Sequence, residues 1–253
     1  RLSGSDFSGT DFSEADFTKA ELSDVIFTGC DLNRVVLDRA RLVGATVRGA
    51  TLLKADLRRV DGREADFSQS DLRGANFDGA YLHMARFQEA DLTDVDLGMP
   101  ISPAFDPGDD LLSISQRMPP DLRLADFSGA RMSGVNLSGA SLEGNRFPGA
   151  DLTAANLRGA QLRQADFSGA TLDRADLRRS LLIGCNFRKA TFEKARLNGT
   201  DFSGADLTDA DLDGAYVGRA DWLDWLSGLP NPPVDCERLL QAWRVVDHRE
   251  QTS

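Results

Sequence analysis

Histidine is nearly absent from this chain of 253 residues, which has only His83 and His248. A catalytic or metal centre built on paired histidines needs them side by side, and these two lie far apart along the chain. His83 follows a hydrophobic position and is expected to face solvent. Cysteine is almost as scarce. Cys30, Cys185 and Cys236 are an odd number, too few for a disulfide framework in a chain this long, and no two have zinc-ligand spacing. A reducing cytoplasm is the expected compartment. No apolar run approaches the ~20 residues a helix needs to span a bilayer, and no charged-then-apolar leader is present. The chain opens on Arg1, which leaves room for an upstream segment. No glycine-rich phosphate loop ending in Lys-Ser or Lys-Thr occurs. Positive charge is in deficit too. With 29 Lys and Arg against 40 Asp and Glu, the net charge is −11, which argues against sequence-independent nucleic-acid binding. No catalytic residue, cofactor or metal is expected.

What the chain does have is a period. Every fifth residue from Leu2 to Leu97, and again from Leu122 to Trp222, is Leu, Phe, Val, Met or Trp, with Gly62 the single exception. A hydrophobic content of 41% cannot produce such a run by chance. Two residues earlier lies a second column, mostly Ala. Asp or Asn usually stands between the two, as in Ala15-Asp16-Phe17 and Ala205-Asp206-Leu207. Five matches neither the 3.6 of a helix nor the 2.0 of a strand. It fits a chain that turns a corner every five residues, with one large and one small side chain inward and three outward. Four corners close a coil of 20 residues, and stacked coils pair at the ~4.8 Å strand spacing. Phe7, Phe27, Phe67, Phe87, Phe127, Phe147, Phe167 and Phe187 are all separated by multiples of 20, so they fall on one face.

These residues resemble the pentapeptide repeat family, whose loose pattern is Ala-(Asp/Asn)-Leu followed by two free positions. The resemblance implies an all-β fold, a right-handed quadrilateral β-helix of about ten coils. It divides the chain into a first part of the β-helix at 1–98, an inserted Pro-rich segment at 99–121 and a second part at 122–222. A linker and amphipathic C-terminal helix follow at 223–253, and all four make one continuous domain.

The insert stays in phase with the Phe column, so it has one coil's length, either looped out or forming one irregular coil. Its Ile101, Phe105, Leu111, Leu112, Ile114 and Met118 are too apolar for a plain linker. They are expected either to pack on a flank of the solenoid or to project and grip a partner. Gly62 is expected to leave a gap in the core, partly filled by Val60, with a kink or bulge at Val60–Arg63. In the tail, Cys236, Leu239, Leu240, Trp243 and Val246 form an apolar stripe suited to covering the open end of a solenoid. The same Leu239, Leu240, Trp243 and Val246 are candidates for a homodimer contact, which the resemblance to topoisomerase-protecting members implies.

Asp209-Ala210-Asp211-Leu212-Asp213-Gly214 imitates the opening of an EF-hand loop, but Ala220 stands where a bidentate Glu is required and Leu212 must point inward. It is read as a coincidence of the repeat. The function expected is a non-enzymatic protein-binding scaffold. Resemblance to the topoisomerase-protecting members implies an acidic DNA mimic that binds DNA gyrase or topoisomerase IV, with carboxylates in register every ~4.8 Å. The alternative is a general interaction module, such as an effector, an immunity protein or an adaptor. It would act through the loop or through outward apolar pairs, Leu181 with Ile183 and Ile26 with Val36. Neither reading involves direct nucleic-acid or membrane binding.

Overall fold

The computed structural model describes residues 2–98 and 120–216. Its unit is a corner. In each group of five, the residue before the inward Leu or Phe forms a parallel bridge, and the two after it turn. The second turn residue has positive φ, whether it is glycine or a residue such as Lys19 (58°) or Met84 (59°). That one left-handed residue aims the chain along the next side. Closing each corner, the N–H of the Ala-column residue donates to the carbonyl of the inward residue three positions earlier, as Ala150 does to Phe147 at 3.0 Å.

Each bridge joins a residue to the one four corners on, such as Asp6 to Ile26 and Asp166 to Asn186, so four corners make one coil. Each coil hydrogen-bonds to both neighbours. Phe147 N–H donates to Asp166 O at 2.6 Å, and Asp166 N–H donates to Asn145 O at 2.9 Å. The alternation satisfies the backbone inside the stack.

Four inward columns therefore define four faces, numbered in chain order. The first is centred on Leu42, Leu82 and Leu122, and the second on Phe67, Phe87 and Phe127. The third is centred on Leu72, Leu92 and Met132, and the fourth on Phe77, Leu97 and Leu137. The first and third lie opposite one another across the core. Leu, Phe and Ala of these columns are buried almost without exception from Leu22 to Ala215. Only the first coil is looser, with Phe7, Phe12 and Phe17 partly covered. The Phe ladder is real: from Phe67 to Phe187 successive rings stack at 4.6–5.3 Å with interplanar angles of 4–13°.

The described coils on either side of residues 99–119 pair directly with one another. Tyr81, Arg86, Asp91 and Asp96 bridge to Asp121, Asp126, Arg131 and Asn136, a step of two coil lengths along the chain where the other bridges span one. Phe87 rests directly on Phe127 at 5.0 Å. The irregular stacked coil, one of the two expected arrangements, is therefore absent from the ladder at this point. Ile101, Phe105, Leu111, Leu112, Ile114 and Met118 lie outside the described residues, as do Leu239, Leu240, Trp243 and Val246.

At the joint sits Gly98, buried, where a Cβ would lie only 2.9 Å from Ser138 N and from Asn136 Oδ1. Because Ser138 N belongs to the rigid next coil, Gly98→Ala is expected to destabilise the rod by about 1–3 kcal/mol through overpacking, read as a lower denaturant midpoint.

The kink expected at Gly62 does not occur. Gly62 N–H donates to Tyr81 O at 2.9 Å and Ala65 N–H to Gly62 O at 3.1 Å, as at any other corner. A Cβ on Gly62 would lie 3.1 Å from Leu82 Cδ2. The Leu82 side chain of the next coil leans into the space, so the core closes over the missing side chain without bending the backbone.

The polar Ser70 and Asn145 of the small column donate to carbonyls of the preceding coil, although Asn145 Oδ1 stays buried without a hydrogen-bond partner among the described residues. Ser70 Oγ donates to Val47 O at 2.7 Å, and Asn145 Nδ2 donates to Leu122 O at 2.8 Å. Cys30 and Cys185 are free and buried. Their thiols donate to Phe7 O at 3.0 Å and Leu162 O at 2.8 Å, and burial pushes the Cys185 thiol up to about 12.

Candidate functional site

With the core sealed, the chemistry that the described residues offer to solvent lies in the outer columns. Asp in the position before the inward residue is tied into its own corner. Its Oδ1 accepts the backbone N–H two residues on, as from Ser13 to Asp11 at 2.8 Å and Ser203 to Asp201 at 2.9 Å. This Asx turn explains why Asp and Asn share the column. When Arg occupies the following position, its guanidinium folds back on the same carboxylate. Arg58, Arg63, Arg73 and Arg123 each donate Nε–H and Nη2–H to Asp56, Asp61, Asp71 and Asp121 at 2.5–2.9 Å.

The side-chain bonds from these arginines hold the four carboxyls below the usual carboxylate value of 3.8. A carboxyl with a depressed folded value stabilises the fold above 3.8 and loses that contribution as pH falls through the depressed value. The denaturation midpoint is therefore expected to stay level down to about pH 4 and drop below it. Asp71→Asn should flatten part of that drop, measured by denaturant titrations at several pH values.

The carboxylates do not run in unbroken register. Vertical neighbours are one coil apart, and on the second face Asp6 is followed by Ile26, Thr46, Asp66 and Arg86. The expected row of evenly spaced charges is thus interrupted. Charge is instead sorted by face. The third face carries Asp11, Glu14, Asp31, Asp71, Asp91, Asp94, Asp151, Asp173, Glu193, Asp211 and Asp213 against Arg34, Lys54, Arg73, Arg131, Arg174 and Lys194. On the fourth face bases outnumber acids, with Lys19, Arg39, Arg58, Arg59, Arg158, Arg178, Arg179 and Arg196 against Asp16, Asp38, Asp56, Asp78, Asp96 and Asp176. Among the described residues, Asp11, Asp31, Asp94, Asp151, Asp173, Asp211 and Asp213 on the third face have no ion-pair partner.

Leu181 and Ile183 are half-buried and share the first face, flanking Leu182. Ile26 and Val36 are also half-buried, but on the second and fourth faces, so they form no common patch. The exposed large apolar side chains in the body of the rod are others: Tyr81, Met84 and Leu124, 49–53% accessible, all on the first face or its edge. The sequence carried this sign, because Tyr81 replaces the Asp or Asn of its column and Leu124 the polar corner residue. His83 is half-buried beside them, not open to solvent as expected, and its Nδ1 is shielded with no hydrogen-bond partner. Leu212, in the EF-hand-like stretch, points inward and is 4% accessible. Among the described residues no group of His, Cys, Asp or Glu could hold a metal ion, and no helix is long and apolar enough to cross a membrane.

Coils of this construction define a class of repeat solenoid, and comparison with known proteins names it. The family model for pentapeptide repeats matches in 8 copies, over 1–34, 40–98 and 121–221. The chain belongs to the pentapeptide repeat family, and its solenoid is a right-handed β-helix. No curated protein matches it in sequence. Among solved structures it is similar to HetL from the cyanobacterium Nostoc, a pentapeptide repeat protein involved in heterocyst differentiation regulation. The identity is 26%, over 85% of this chain and 90% of that one, with a TM-score of 0.41. It is also similar to full-length QnrB1, a plasmid-mediated fluoroquinolone resistance protein. There the identity is 13%, over 93% of this chain and 96% of that one, with a TM-score of 0.43. A third similar structure is a pentapeptide repeat protein of the Arabidopsis thaliana thylakoid lumen, 26% identical over 47% of this chain and 79% of that one, TM-score 0.24.

Proposed function

We propose that this protein is a non-enzymatic scaffold that binds another protein, and that its acidic third face occupies the DNA-binding saddle of a type II topoisomerase, DNA gyrase or topoisomerase IV. The observation that carries the reading is the segregation of charge. A straight face rich in carboxylates, seven of them without cationic partners among the described residues, is complementary to a basic surface that ordinarily holds phosphates. About ten coils, an insert at 99–121 that meets the partner, and a tail helix at 223–253 that caps the rod complete the proposal. Protection of the enzyme from quinolone-type inhibitors is the corresponding activity, and a cytoplasmic location goes with it.

The test is a gyrase supercoiling assay with and without drug, at several salt concentrations. Protection should fall as salt rises, because exposed charge pairs are screened, and duplex DNA should compete. The variant Asp31→Asn, Asp151→Asn, Asp173→Asn and Asp211→Asn keeps an amide oxygen at each site while removing the charge. It should protect less well than wild type, whereas Asp→Asn changes at Asp16, Asp56, Asp78 and Asp96 of the fourth face should not matter. No effect of the full-length protein at micromolar concentration rejects the topoisomerase reading and leaves the broader scaffold.

A further inference from the structure

The first face, opposite the acidic one, has a pattern of its own. Three successive coils set Asp61 with Arg63, Tyr81 with His83, and Asp121 with Arg123, each pair flanking an inward residue and joined through the bridges Asp61–Tyr81 and Tyr81–Asp121. In the outer two, the pair is a bidentate ion pair lying along the surface, with both distances 2.7 Å for Asp61–Arg63 and 2.8 Å for Asp121–Arg123. The middle coil interrupts them with an exposed aromatic ring and the one described histidine. Farther along, the same two columns hold Leu181 and Ile183. In these four rows acid, aromatic or apolar residues stand in the left column and base, histidine or apolar residues in the right. Arg41 on the left and Glu143 on the right depart from the pattern, and would face Val43 and Ser141 across a two-fold axis along the rod.

Such a surface is complementary to itself. A two-fold axis laid along the rod at this face keeps every coil at its own height and exchanges the two columns. Asp61 then meets Arg63 of a second copy, Asp121 meets Arg123, Leu181 meets Ile183, and Tyr81 meets His83. Half a turn of the His83 ring would present its unsatisfied Nδ1 to the Tyr81 hydroxyl opposite. A two-fold axis across the rod through the Tyr81 coil does the reverse, placing Asp61 against Asp121 and Arg63 against Arg123, like charge on like. The charge pattern therefore selects one symmetry. Isologous contacts require a surface that matches its own image, and this one adds the exposed Tyr81, Met84 and Leu124, where a scatter of polar residues would suffice for a free face.

We propose that the first face binds a second copy of this chain, forming a parallel side-by-side dimer. The inference does not rest on the topoisomerase reading, and it leaves the acidic third face outward on both copies.

The experiment is sedimentation equilibrium of the full chain at up to roughly 100 µM, where an interface of modest affinity is filled. Wild type should reach the mass of two chains. Arg63→Glu with Arg123→Glu sets like charges opposite one another and should weaken association roughly tenfold or more. Adding Asp61→Arg and Asp121→Arg restores the complementary pattern with the columns exchanged, and should restore the dimer. Leu181→Asp with Ile183→Asp should also dissociate it, and circular dichroism melts establish that each variant is folded. A wild type that stays at one chain's mass overturns the proposal. So does a dimer indifferent to all first-face variants, including one that dissociates only on Trp243→Asp in the tail, or a charge-swapped variant that fails to reassociate while folded.

Discussion

Phe167→Ala is expected to cost roughly 3–5 kcal/mol of stability. Phe167 is fully buried, with Phe147 stacked at 4.6 Å on one side and Phe187 at 5.1 Å on the other. Truncation removes the ring's own burial and also leaves both neighbours facing a void between coils that cannot collapse, because the backbone ladders on either side fix their separation. Arg163→Ala, on the exposed surface of the same coil, should stay within about 0.5 kcal/mol of wild type. Chemical denaturation of the two variants measures the difference directly. Equal midpoints would mean that the inward and outward columns have been assigned to the wrong sides.

The second large effect concerns phase. Inserting a second copy of residues 146–165 after Ala165 adds one full coil, extends the Phe ladder by one ring, and should raise the denaturation midpoint. Inserting only a second copy of residues 161–165 should lower it, although it adds less chain. That shorter insert rotates everything downstream by one face. Phe167 then leaves the column above Phe147 while keeping its place beside Phe187. The one stacked contact across the junction is lost, worth about 0.5–1.5 kcal/mol beyond burial, and Leu meets Phe there in two of the four inward columns. Thermal melts of the two insertion variants beside wild type settle the matter. A longer insert that destabilises as much as the shorter would show that the phase of a full coil has no energetic weight.

The inward half of this molecule was legible in the sequence because it is periodic. Leu, Phe and Ala columns at a spacing of five leave few ways to bury them, and the Phe positions at multiples of 20 fix the number of corners per coil. The family was legible from the same residues. What the sequence left open follows from limits of periodicity itself. An insert of one coil's length keeps phase whether it is looped out or stacked, so only the pairing of Tyr81 with Asp121 decides. Gly62 looked like a vacancy because a column records residue size and not the reach of a neighbour. Leu82 of the next coil reaches into the space, with Cδ2 only 3.1 Å from where a Cβ on Gly62 would lie, and no spacing encodes that reach.

The outer surface was harder still. Read along the chain, Asp recurs so often that it suggested an unbroken acidic row. Read up a face, coil by coil, Asp66 is followed by Arg86 and Asp56 by Asn76. Sorting by face was possible from the sequence alone once the coil length was known. It would have exposed both the acid excess of the third face and the departures at Tyr81, Met84 and Leu124. Leu181 and Ile183 were found by looking for apolar residues in outward positions, and the structure keeps them together because they flank one inward residue.

The double-length step between the coils of Phe87 and Phe127 also has a mechanical meaning. Hydrogen bonds between coils point along the rod, and each coil holds only its neighbours, so a pull on the two ends loads the ladders one after another. An ordinary coil that peels away pays out about 20 residues, roughly 70 Å of extended chain. Between Leu82–Leu97 and Asp121–Asn136 a single set of bonds of ordinary length joins two coils that lie two coil lengths apart in the chain. Among the described coils, parting at that junction separates segments linked by twice the usual length of chain.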